Sequence, residues 1–322
     1  MLAAHPSAQR RERDLAFEPA GALYIAHVRC SAGTMFTRRQ FIAITTIALP
    51  QLLRAAPKNF TGLPAAFAQL ERTNGGRLGV AVLDTATGER SGHRADERFP
   101  MCSTFKFLLA AAVLQGVDHH QEKLDRPITI PPKPLLPNSP LTEPHAGGAM
   151  TVAALCHAAL TRSDNTAANL LLETIGGPSG ITNFSRSIGD DITRLDRMET
   201  ALNEARPGDP RDTTSPTAMA DDLHAVLLGN VLSTATRDQL TSWMKANLTG
   251  LDKLRAQLPS GWSAADKTGS NGENTTNDIA VFWPPARPPV IVTAYITQCT
   301  GPDSKRAAML AEIGRLVRRS LA

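Results

Sequence analysis

Aromatic residues are scarce in this chain. They fill 5% of its 322 positions, so aliphatic side chains and alanine have to make the interior. Cysteine is nearly as sparse. Of the four, Cys30 lies in an N-terminal leader, and Cys102, Cys156 and Cys299 remain. An odd number leaves at least one thiol unpaired. Cys102 stands beside Ser103, but no histidine lies at a spacing that would activate it, so it reads as a small buried residue. No Gly-x-Ser-x-Gly elbow is present, which disfavours an α/β-hydrolase esterase. The eight histidines show no metal-ligand spacing, and the adjacent His119 and His120 would point to different sides of a helix. No metal or other cofactor is expected. No repeat or low-complexity segment occurs. A charge excess is also missing from most of the chain. Beyond residue 56 there are 27 basic and 27 acidic residues, so the net +4 belongs to the first 56 residues. The basic balance is therefore no argument for a nucleic-acid partner.

What is present is a 42% hydrophobic fraction, ample for a large core. Met35-Phe36-Thr37-Arg38-Arg39-Gln40-Phe41 precedes the apolar run Ile42 to Leu49, with small residues at Ala55 and Ala56. Residues 35–56 read as a secretory signal of the twin-arginine kind, which implies a periplasmic protein. The apolar run is far shorter than the roughly 20 residues that a membrane span needs, so no stable membrane association is expected. Residues 1–34 look like neither signal nor domain, and Met35 is the expected start.

Strand patterns sit at both ends of the remaining chain, and helical patterns fill its middle. Arg77–Asp84 is a β-rich run followed by a turn over Thr85–Glu89. Thr104–Leu114 has the spacing of a buried helix, with Gly116 as its stop. Ile128–Pro140 carries five prolines and should be extended loop. Thr151–Leu160 and Thr166–Thr174 read as helices linked and capped by Ser163-Asp164-Asn165. Residues 196–215 have no periodicity and form a long loop, a kind that is usually functional. Helices are expected over Pro216–Leu228, Ser233–Asn247 and Ser304–Ser320, and strands over Trp262–Lys267, Asp278–Trp283 and Val290–Thr297. The simplest assembly is an α/β (α+β) fold of two lobes. Residues 57–101 and 246–322 supply an antiparallel sheet with flanking helices, and residues 102–245 an inserted all-helical lobe.

Four motifs stand in order: Ser103-Thr104-Phe105-Lys106, Ser163-Asp164-Asn165, Glu199 with Asn203, and Lys267-Thr268-Gly269-Ser270. Ser103 and Lys106, three apart, share a helix face. A serine hydroxyl needs a neighbouring base, and a partly buried lysine can be one because desolvation lowers its pKa. Taken singly, each motif has a plainer reading. Ser103 could be a helix cap, Ser163-Asp164-Asn165 another, and Glu199 an exposed acid. Together they supply a nucleophile, proton carriers, a carboxylate–amide pair able to hold a water, and a cation-and-hydroxyl clamp for a carboxylate.

Their order and separations resemble the class A β-lactamases, from about Phe60 to Ala322. Arg197-Met198-Glu199, Leu202-Asn203-Glu204-Ala205, Pro207-Gly208-Asp209, Arg211-Asp212-Thr213-Thr214 and Thr276-Asn277-Asp278-Ile279-Ala280-Val281 carry the same resemblance. It implies that Ser103 attacks a β-lactam carbonyl and that the Ser103 and Ser270 N–H groups form the oxyanion hole. Ser163 would pass a proton to the leaving nitrogen. Lys106 and Glu199 are rival acylation bases, and Glu199 with Asn203 activates the deacylating water. Asn165 would bind the substrate amide, and Lys267, Thr268 and Ser270, with Gly269 between them, the substrate carboxylate. Asn169 would brace the loop, and Arg197 would pair with Asp212. A monomer acting on small β-lactams is implied. A D-Ala-D-Ala peptidase or a non-hydrolysing β-lactam-binding protein is the alternative, disfavoured by the presence of Glu199 and Asn203.

The departures from the family pattern are specific. Asn138 replaces the usual aromatic gate. Thr276 stands where many members carry an arginine beside the clamp, and Lys253 is the expected substitute cation. Cys102 and Cys156 match halves of family disulfides whose partner positions here are Asn271 and Ala110, so neither bridge is expected. Thr200 replaces a proline whose preceding bond is commonly cis, and a cis Glu199–Thr200 bond is expected.

Overall fold

A computed structural model describes residues 59–321. The extension and signal read over residues 1–56 lie outside the described residues. Helix α1 (Leu63–Asn74) is followed by strands β1 (Arg77–Asp84), β2 (Arg90–His93) and β3 (Phe99–Pro100). A single 3₁₀ turn over Cys102–Thr104 leads into α2 (Phe105–Asp118). Strands β4 (Pro127–Thr129) and β5 (Ala149–Thr151) form a short ladder before α3 (Val152–Thr161), α4 (Asn165–Thr174) and α5 (Pro178–Ser187). Strand β6 (Thr213–Thr214) precedes α6 (Pro216–Leu227) and α7 (Thr234–Lys245). Strands β7 (Ser263–Ser270), β8 (Thr276–Trp283) and β9 (Val290–Thr297) and helix α8 (Asp303–Ser320) close the chain.

The five-stranded antiparallel sheet runs β2-β1-β9-β8-β7, so the N-terminal hairpin is joined to the C-terminal meander through β1 and β9. This is the expected assembly from both chain ends. Both faces of the sheet are covered. Val80 and Val82 of β1 face α1 and α8, whereas Ala81 and Leu83 face the core shared with α2 and α6. Covering both faces explains why Val290–Ile296 reads as an almost unbroken apolar run rather than an alternation. Leu108, Leu109, Leu155, Leu160, Leu171 and Leu172 centre the helical lobe.

Several boundaries differ from the sequence reading. Helix α2 passes Gly116 and ends at Asp118. A mid-helix glycine costs only about 1 kcal/mol, and the turn at His119 and His120 supplies the stop. Strand β7 runs on to Ser270, so the Lys-Thr-Gly motif lies on a strand rather than after one. Ile128 and Thr129 pair with β5 instead of being loop. Helices α1 and α5 are additions. In α5 only Ile181 and Phe184 are buried apolar residues among serines, glycine, threonine and asparagine, so packing against α2 outweighs weak propensity.

Candidate active site

Three elements converge at Ser103. The 3₁₀ turn places it at the N-terminal end of α2, with the Ser103 side chain at the head of the helix dipole. Strand β7 is the free edge of the sheet and runs past this turn. Gly269 makes the approach possible. A Cβ there would lie 2.6 Å from the Met101 carbonyl oxygen and 3.0 Å from the Ser103 nitrogen. Asn277 of β8 donates to the Pro100 and Met101 carbonyls (2.8 and 3.0 Å), tying the segment before Ser103 to the sheet.

The long loop brings the third part. Arg197 Nε donates to Asp212 Oδ2 at 2.6 Å, and the Asp212 carboxylate also accepts the Asp196 and Arg197 N–H groups. The neck is closed further by Arg194 bridging Thr213. Asn169 of α4 bonds both sides of the Glu199 backbone, donating to its carbonyl and accepting its N–H at 2.9 Å each. The Glu199–Thr200 bond is cis.

Glu199 is the hub. Its Oε1 accepts from Ser103 Oγ at 3.2 Å and lies 2.9 Å from Lys106 Nζ, and its Oε2 accepts from Asn203 Nδ2 at 2.6 Å. Lys106 is fully buried. Its Nζ donates to the Asn165 Oδ1 (2.6 Å) and to the Ser163 carbonyl (2.9 Å), and reaches Ser163 Oγ at 3.4 Å. Burial pushes the Lys106 amine below its ordinary pKa, while the Glu199 charge works against that shift. Lys267 is buried as well. Its pKa is pushed down to about 7 by burial and by the Lys106 charge. Its Nζ donates to Ser163 Oγ (3.1 Å) and to the Thr268 carbonyl (2.7 Å). Ser163 Oγ therefore sits between two amines. Asp164 caps α4 by accepting from Ala167 N, as its sequence position suggested.

An open cleft of about 560 Å³ lies beside this cluster, lined by residues that include Pro137, Thr200, Asn203, Ser270 and Asn271. Of the residues read from the sequence as a carboxylate clamp, Thr268 is buried and Ser270 exposed at the strand edge. Thr249, which sequence reasoning missed, holds Thr268 hydroxyl to hydroxyl at 2.5 Å. Lys253 Nζ donates to the Thr249 carbonyl (3.2 Å) and pairs with Asp252 (2.7 Å). Thr276 donates to Asp303 and accepts from the buried Arg306 Nε at 2.9 Å. Cys102, Cys156 and Cys299 are free and buried. Burial pushes the Cys102 thiol up, against a nucleophilic role.

Residues 63–321 match the family described as the β-lactamase enzyme family. The chain is 48% identical over 300 residues to the L2 β-lactamase of Stenotrophomonas maltophilia, covering 88% of this chain and 99% of that protein. The chain belongs to the class A β-lactamases. The CTX-M-8 β-lactamase of Citrobacter amalonaticus is 45% identical over 281 residues, 87% of this chain and 97% of that one. Among solved structures, an ancestral class A β-lactamase of Gram-negative bacteria is 60% identical, with a TM-score of 0.78 over 80% of this chain and 98% of its own. The putative class A enzyme PenP from Rhodopseudomonas palustris is 56% identical over the same shares, also at 0.78. The two-lobe fold and the hydrolase class of this β-lactamase follow from those matches.

Proposed function

We propose that this β-lactamase opens the ring of penicillins and cephalosporins through a Ser103 acyl-enzyme and then hydrolyses it, giving resistance to those antibiotics. The observation that carries the reading is the Glu199 carboxylate, which touches the Ser103 hydroxyl, the Lys106 amine and the Asn203 amide together. Attack by Ser103 Oγ requires loss of its proton, and Glu199 and Lys106 both stand where they can take it. The Ser103 and Ser270 N–H groups bind the developing oxyanion. Ser163 Oγ–H protonates the leaving nitrogen as the C–N bond breaks, and the proton that Ser103 gave up returns to Ser163 through the Lys106 amine, which touches both Glu199 and Ser163. Glu199 and Asn203 then activate water for deacylation. Asn203 Oδ1 is buried without a partner among the described residues, an acceptor suited to that water. Such a pair suits turnover better than the slow release of a D-Ala-D-Ala peptidase.

Asn165 takes the substrate amide, and Lys267, Thr268 and Ser270 its carboxylate, with Lys253 adding positive charge behind Thr249. Asn169 and the Arg197–Asp212 pair hold Glu199 in place. Among the described residues no helix is long and apolar enough to cross a membrane. The Arg38-Arg39 leader supports export to the periplasm by the twin-arginine route, and the enzyme is proposed to act there as a monomer. The test is turnover of benzylpenicillin and a chromogenic cephalosporin by the purified protein. Activity on both, abolished in Ser103→Ala, supports the reading, and activity that survives in Ser103→Ala overturns it.

A further inference from the structure

Asn138 follows Pro137, which lines the cleft, and has a left-handed backbone, φ 56°. Asparagine is one of the few residues besides glycine to enter that region readily. Its carbonyl accepts from Asn165 N at 3.0 Å, and its side-chain Nδ2 donates to the Ser163 carbonyl at 2.9 Å. Ser163 is left-handed too, φ 56°, a conformation that serine does not favour and that its surroundings must hold. A carbonyl oxygen has two lone pairs. At Ser163 one receives Lys106 Nζ and the other Asn138 Nδ2, each at 2.9 Å. The same serine must keep Oγ between Lys106 Nζ at 3.4 Å and Lys267 Nζ at 3.1 Å.

We propose that Asn138 is a positioning residue for proton delivery: its amide fixes the Ser163 peptide so that Oγ–H points at the leaving nitrogen. This rests on the role assigned to Ser163 above. In the step concerned, the Ser103 Oγ–carbonyl bond has formed. The lactam C–N bond breaks, nitrogen takes the Ser163 proton, and Ser163 is reprotonated with the proton that Ser103 gave up to the base. An aryl thioester carrying the same acyl group transfers it to Ser103 and expels an aryl thiolate as the C–S bond breaks; that leaving group needs no proton, so the substrate separates delivery from general damage.

Asn138→Gly keeps the backbone conformation and deletes the donor. Asn138→Asp keeps the shape and turns the donor into an anion. Both are expected to lower kcat/KM for benzylpenicillin about three- to tenfold, the range for one lost hydrogen bond at a partly solvated position. Thioester hydrolysis should stay within about twofold, and Asn138→Asp should also shift the pH profile of penicillin turnover. Unchanged penicillin kinetics, or a parallel fall for both substrates, would overturn the proposal. Ser163→Ala is the control. If it too spares penicillin, the Ser163 assignment falls and the brace with it. If it slows penicillin selectively while Asn138→Gly does not, the brace alone is refuted.

Discussion

At the scale of single residues, the site is two buried lysines and one carboxylate bonded to four hydroxyl and amide partners, Ser103, Ser163, Asn165 and Asn203. Lys267 has its pKa pushed down to about 7 by burial, so in the unliganded enzyme it loses its positive charge as pH rises through that value. Weaker capture of carboxylate-bearing substrates follows, and kcat/KM should decline on the alkaline side. Lys267→Arg stays charged and should remove that decline, which a pH–rate profile would check. Lys253→Ala should raise KM for penicillins several-fold with kcat little changed, because its charge lies one residue behind the clamp. An unchanged KM would show that the Asp252 pair already neutralises it. The Ser-x-x-Lys, Ser-Asp-Asn and Lys-Thr-Gly sets were readable because their chemistry is written in short spacings. The Asn138 and Thr249 bonds were not, since each depends on a turn bringing together residues 25 and 19 positions apart.

At the scale of elements, β7 and the long loop are held against α2 by a few close approaches. Gly269→Ala should push β7 off the Ser103 turn. A displacement near 1 Å costs on the order of 10²-fold in rate, while far-UV circular dichroism should remain native. A different contact governs α6. The Asp222 carboxyl is buried within reach of the Asp190 charge, and each carboxylate has one buried oxygen with no hydrogen-bond partner among the described residues. Burial and the Asp190 charge hold the Asp222 pKa well above its ordinary value, so the folded state keeps a proton that the unfolded chain releases. A raised carboxyl pKa means stability that is present at low pH and lost as pH climbs from about 4 toward the folded value. The Tm of the wild type should therefore fall over that range by more than that of Asp222→Asn, which does not titrate. Parallel Tm profiles would contradict the retained proton. Element types were legible where apolar periodicity was strong, as in α2 and β9. Helix α5 was not, because its residues become helical only against a partner that the local pattern does not reveal.

At the scale of the whole molecule, the sheet is complete only when both chain ends have met. Helix α8 seals its outer face with Met309, Leu310, Ile313 and Val317, all nearly inaccessible. Burying four such side chains contributes on the order of 6–12 kcal/mol, comparable to the net stability of about 5–15 kcal/mol for a folded protein. Arg318 adds hydrogen bonds to the Leu254 and Ala256 carbonyls. Deleting residues 303–322 should leave no cooperative thermal transition. The two-lobe plan was visible in the sequence as strands at both ends and helices between, whereas the strand order, set by pairing of β1 with β9, was not. The most direct test of the account is the intact mass of Glu199→Ala mixed with benzylpenicillin. The account predicts a species heavier by one penicillin that persists, because Ser103 still acylates and nothing activates the water. Wild-type turnover in that variant, or no adduct at all, would contradict it.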